Sequence, residues 1–135
     1  MNDAIAVWHG AVRWGDMDAY GHVNHAVFFR YLESARIACL ETWCGAQIAL
    51  PVLVVADIHC RYLAELVYPA TVTVHTALHR LRARTMEIYA KIWQGEQLCA
   101  ESTTVLLCID PLRRRAKRLP DDFLSQMTRY AERVG

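Results

Sequence analysis

Apolar and polar residues keep two rhythms along this chain. Between residues 71 and 78 they alternate, with Val72, Val74 and Leu78 on one side and Thr71, Thr73 and His75 on the other, the period-two pattern of a half-buried strand. Met86, Ile88, Ala90 and Ile92 repeat it against Glu87, Tyr89, Lys91 and Trp93. The turn-forming Gln94-Gly95-Glu96-Gln97 then leads into residues 98–109, so these two segments predict a hairpin. The second rhythm is helical. Phe28, Leu32, Ala35 and Cys39 follow at spacings of three or four, with Val27, Tyr31 and Ala38 beside them. A stripe that wide predicts a mostly buried helix of about five turns. Asn24 is placed to cap its start and Gly45 to end it.

Two further strands are read from composition: residues 4–14, rich in Ile5, Val7, Trp8, Val12 and Trp14, and residues 52–63, opened by Pro51. Pro120 with Asp121 and Asp122 starts a short terminal helix whose Phe123, Met127, Tyr130 and Val134 share a face. One strand, a long buried helix, four strands and a terminal helix predict an α+β arrangement. An antiparallel curved sheet of about five strands covers the long helix, and residues 1–135 form a single domain.

Composition adds a partner. Of the 135 residues 54% are hydrophobic, an excess that predicts burial against another subunit. A net charge of +1 gives no reason to expect a nucleic-acid partner. The N-terminus lacks the basic flank and apolar core of a signal peptide. The longest apolar run, residues 48–56, is broken by Pro51 and falls short of the roughly 18 residues of a membrane span. A cytoplasmic protein is expected. Cys39, Cys44, Cys60, Cys99 and Cys108 are odd in number and lack a CxxC spacing, which reads as reduced core thiols.

The chemistry concentrates just before the long helix. Residues 15–25 hold two aspartates, two glycines, an asparagine and two histidines, a polar turn-forming segment delivered to the positive end of a buried helix. A carbonyl oxygen or an anion is favoured there. Asp16-Met17-Asp18-Ala19-Tyr20-Gly21-His22-Val23-Asn24-His25, followed by Phe28-Phe29, Tyr31 and Glu33-x-x-Arg36, resembles the signature of the hotdog-fold acyl-CoA thioesterases of the 4-hydroxybenzoyl-CoA thioesterase type. The bacterial branch associated with the Tol–Pal system is the nearest likeness. Arg61-Tyr62-Leu63 and Tyr68-Pro69-Ala70 are similar to the family's second half.

The resemblance implies the hotdog fold, a homodimer or homotetramer, and an acyl-CoA substrate. It places the family's catalytic carboxylate on Asp18 and its helix-start histidine on His25. Tyr20 departs from the small glycine usual in the Tol–Pal-linked branch, which implies an altered entrance to the acyl site. Thioester hydrolysis needs a base or nucleophile, the expected role of Asp18, and a donor to the carbonyl oxygen, expected from the backbone amides of Asn24 to Ala26 with His25 beside them. Tyr20, Asn24 and Ala26 are therefore expected to bind substrate. Arg114 and Arg115, in the basic run Arg113, Arg114, Arg115, Lys117 and Arg118, are expected to meet the phosphates of CoA.

Each residue also has a simpler reading: Asp18 as a turn aspartate, Asp16 as a loop hydrogen-bonder, His22 as structural, His25 as a hydrogen-bonded helix-end residue, and the basic run as a solvated loop. His22 and His25 lack the ligand spacing of a zinc site, so no metal and no other cofactor is expected. A non-catalytic acyl-CoA binding module and a hydratase or dehydratase of the same fold are the alternatives.

Overall fold

The computed structural model describes residues 5–135; Ala4, where the first strand is read to begin, and the residues before it lie outside. Five long strands form one sheet: β1 (Ile5–Ala11), β2 (Leu53–Tyr62), β3 (Thr71–Leu81), β4 (Thr85–Gln94) and β5 (Gln97–Asp110). Their spatial order is β1-β3-β4-β5-β2 and every neighbouring pair is antiparallel. A long helix, α1 (His25–Cys44), connects β1 to β2. The short β6 (Arg115–Ala116) pairs with the end of β5. After α2 (Asp121–Thr128), β7 (Arg133–Val134) runs parallel to β3.

The alternation in β3 and β4 does what it predicts. Val72, Val74, Leu78 and Leu81, with Met86, Ile88 and Ile92, are all buried on one sheet face. Phe28, Leu32, Ala35, Cys39 and Trp43 of α1 are buried in the same two clusters as these strand residues. Each large side chain removed from water there contributes about 1.5–3 kcal/mol. Gly95, at φ +59, makes the tight β4–β5 turn between paired Gln94 and Gln97, a backbone conformation that glycine adopts without steric cost. Gly45 likewise ends α1 at φ +66, its N–H donating to the Glu41 carbonyl at 3.0 Å.

One core cluster gathers the C-terminal half of α1 with α2, and the other gathers the N-terminal half with Val12, Val23 and Leu66. Between them the sheet carries a cross-strand row of small or polar residues, Thr76 opposite Ala90, Ala90 opposite Ser102, and Ser102 opposite Cys60.

Two boundaries differ from the sequence reading. β1 stops at Ala11. Val12 is buried, but Trp14 is 74% exposed in a 3-10 turn spanning Trp14–Asp16, because the chain turns here to carry Asp16 inward. α2 stops at Thr128, so Tyr130 and Val134 are not on it. Tyr130 instead stacks on Trp43 at 5.5 Å, and Val134 pairs with Leu81. Tyr130 is thus half-buried against the core, while Val134 is 61% exposed.

Among the described residues β2 is an edge strand paired with β5 alone; Val52 just before it and Val54 and Val55 within it are 46%, 38% and 46% exposed. Among the described residues no helix is long and apolar enough to cross a membrane. Phe123, fully buried where α2 meets the core, tests the first cluster. Phe123→Ala is expected to lower unfolding free energy by about 3–5 kcal/mol in a denaturant titration.

Candidate active site

The loop between β1 and α1 is built around Asp16, which is 2% exposed. Its Oδ2 accepts from the Arg13 amide at 2.9 Å and from the Tyr31 hydroxyl at 2.7 Å. The guanidinium groups of Arg13 and Arg30 stand 3.5 and 3.8 Å from Oδ1. Its carbonyl accepts from the Asn24 amide at 3.0 Å. Burial works to raise the Asp16 pKa, but the Arg13 and Tyr31 hydrogen bonds and the two cations outweigh it, holding the carboxyl below its ordinary value. Burial and the neighbouring carboxylate push the Tyr31 phenol upward, so it stays a neutral donor. Asp16 is the structural aspartate of the pair.

Beyond it the chain closes on itself. Met17 and Val23 form an antiparallel bridge, the Asp18 amide donates to the His22 carbonyl at 2.9 Å, and Gly21 turns at φ +82, its amide donating to the Asp18 carbonyl at 3.1 Å. Asp18 Oδ1 accepts from the Tyr20 amide at 2.9 Å, the turn role that its setting suggests. No protein donor reaches Oδ2 among the described residues, and Asp18 lines a cleft of about 610 Å³.

Tyr20, His22 and Val23 of the loop line the same cleft, as do His25 and Phe28 of α1. The far wall is Tyr62 at the end of β2 and Leu63, Ala64 and Glu65 after it. The Tyr62 hydroxyl donates to the His25 carbonyl at 3.0 Å, and its ring meets Phe28 edge-on at 5.0 Å. Burial, with Cys60 adding to it, pushes the Tyr62 phenol up to about 12. His22 Nε2 lies 3.0 Å from Glu65 Oε2. Sequence reasoning missed Tyr62 and Glu65 as site residues. Only the pairing of β2 with β5 brings them to the loop, and no local pattern signals it.

Accounting for the amides at the start of α1 corrects two expectations. Asn24 Oδ1 caps the helix by accepting from the Ala26 amide at 2.9 Å. The Asn24 amide is taken by Asp16 and the Val27 amide by the Asn24 carbonyl. The Asn24 and Ala26 amides are therefore engaged within the protein, and neither residue lines the cleft. The His25 amide, at the positive end of α1, has no acceptor among the described residues.

Arg114 and Arg115 do not join the cleft. They follow the Asp110 end of β5, whereas the cleft lies at the Ala100 end opposite Tyr62. Ten residues of strand separate the two ends by roughly 30 Å. Among the described residues no three His, Cys, Asp or Glu side chains gather to hold a metal ion.

Residues 12–127 match the family model of the thioesterase-like superfamily, a span that includes the loop, the cleft and both core clusters. The chain belongs to that superfamily. Acyl-CoA thioester hydrolase YbgC of Escherichia coli is 27% identical over 131 residues, covering 93% of this chain and 98% of the relative. Among solved structures, the PA2801 protein of Pseudomonas aeruginosa is 32% identical with a TM-score of 0.79, over 90% of this chain and 97% of that one. Protein TT1821 of Thermus thermophilus is 26% identical with a TM-score of 0.85, over 93% and 98%. The thioesterase resemblance and the α+β hotdog architecture are thus borne out, and the expectation of a thioester-hydrolase type of enzyme stands with the family.

Asp16 yields a prediction on stability. Its folded pKa is depressed, so its stabilisation is complete above the ordinary carboxylate value of 3.8 and is lost as the pH falls through the lower folded value. Tyr31→Phe removes one of its donors and is expected to cost about 1–3 kcal/mol at neutral pH. The difference from wild type should narrow below pH 3.8 in parallel denaturant titrations.

Proposed function

We propose that this protein hydrolyses acyl-CoA thioesters to the free acid and CoA. The observation that carries this reading is the pairing, on one cleft, of the free Oδ2 of Asp18 with the unengaged His25 amide at the start of α1. Thioester cleavage needs such a pair: an oxygen base or nucleophile near the acyl carbon, and a fixed donor near the oxygen where negative charge develops. Asp18 supplies the first. The His25 amide, backed by the helix dipole, polarises the carbonyl, and the His25 side chain lies on the same wall. The thiolate leaves without much need of protonation, because a thiol is a far stronger acid than an alcohol. The acyl-CoA class is taken from the similarity to YbgC.

Tyr20 and the Phe28–Tyr62 pair give the cleft its apolar and aromatic surface, against which an acyl group packs. Phosphate contact by Arg114 and Arg115 has no part in this reading within one protomer, given their place at the opposite end of β5. Five free cysteines fit a reducing, cytosolic compartment. The exposed apolar edge of β2 supports a homodimer in which two copies cover it.

Asp18→Asn keeps the acceptor oxygen that holds the Tyr20 amide while removing the charge. It is expected to lower kcat by about a hundredfold or more with an unchanged melting temperature. Thiol release over a panel of acyl-CoA chain lengths measures it, and retained turnover would overturn the assignment. Sedimentation at micromolar concentration should give twice the mass of one chain; a monomer mass would remove the dimer.

A further inference from the structure

We infer that His22, oriented by Glu65, is a second catalytic residue of this cleft, the base that activates water. The inference rests on the thioesterase reading above and assigns the roles within it. The imidazole Nε2 is 3.0 Å from Glu65 Oε2, so its N–H donates to the carboxylate and the tautomer is fixed. Nδ1 is then a lone-pair acceptor, and no protein donor engages it among the described residues. Both side chains line the cleft that Asp18 lines. A base held by a third, carboxylate group is the arrangement by which an imidazole takes protons during acyl transfer.

A purely bracing role explains less. The His22 and Glu65 side chains are 40% and 66% exposed, and a polar contact that open contributes little to stability. The segments it spans are already joined by the Val23 amide donating to the Leu66 carbonyl at 2.8 Å, with Leu66 itself fully buried.

With His22 as base, Asp18 takes the nucleophile's part. Its free Oδ2 bonds to the acyl carbon, the C–S bond breaks, and CoA departs as thiolate with the bonding pair. A water oxygen then bonds to the acyl carbon of the resulting anhydride and gives its proton to His22 Nδ1. The C–O bond to Asp18 breaks, returning the carboxylate and freeing the acid, and the His22 proton passes to solvent. The titratable groups facing His22 across the cleft are Asp18 and Tyr20 of its own loop, His25 on α1, Tyr62 at the end of β2, and Glu65.

His22→Gln separates chemistry from bracing, since its amide can still donate to Glu65 but cannot act as a base near neutral pH. With an acyl-CoA that wild type turns over, the variant should show a stoichiometric burst of thiol followed by turnover slowed about a hundredfold or more. The fall of kcat on acidification should also disappear, and KM should fall in step with kcat, so that kcat/KM and the melting temperature are unchanged. Glu65→Ala, which leaves the imidazole in place, should give a smaller loss of kcat with the acid limb displaced. Turnover of His22→Gln within a few-fold of wild type, or slow turnover without a burst, would overturn the inference. If wild type releases no thiol from any thioester, it is the thioesterase reading that fails.

Discussion

Asp16 is where the strand, the loop and the helix are tied together. A carboxylate taken out of water costs several kcal/mol unless its lone pairs and charge are answered, and at this position the answer comes from every element around it. Arg13, just after β1, contributes an amide and a cation, and α1 contributes the Tyr31 hydroxyl and the Arg30 cation. The peptide of Asp16 itself receives the amide of the helix cap. Moving the loop away from α1 by even one hydrogen-bond length would leave a buried charge unmatched. The position of Asp18, two residues on, is thereby set by groups that never enter the cleft.

The start of α1 carries a complementary economy of donors. An α-helix begins with amides that have no partner in the preceding turn, and most proteins satisfy them with caps or water. Here the cap side chain, the cap carbonyl and Asp16 take the Ala26, Val27 and Asn24 amides, and the His25 amide has no acceptor among the described residues. The Tyr62 hydroxyl on the His25 carbonyl fixes the next peptide, on the other side of the same residue.

Much of this was legible in the residues before any coordinates. α1 is nearly as long as its three- and four-residue spacing requires because the stripe is buried along most of its length. β3, β4 and β5 follow from alternation because one sheet face packs inward. Asp16 as structural and Asn24 as cap were readable from local chemistry. The limits of β1 and α2 were not. Trp14 has the composition of a strand residue but is turned outward by the burial of Asp16, and Tyr130 keeps helical spacing from Met127 although the chain has left the helix. Glu65 and Tyr62 reach the loop only through the register of β2 on β5. The same register sends Arg114 and Arg115 to the opposite end. Local pattern finds what neighbours in sequence decide; strand pairing decides the rest.

The Met17–Val23 bridge has a bearing on how this segment can vary. Five residues fill the closed ring, Gly21 makes the only turn in it that demands a left-handed backbone, and the Val23 end is bonded to the buried Leu66. An insertion or deletion here would break the bridge and shift the Asp18 carboxylate within the cleft. Exchanges of side chain at the solvent-facing tip, where Tyr20 is 85% exposed, leave the ring intact. Diversification of this site is therefore confined to what projects from a loop of fixed length.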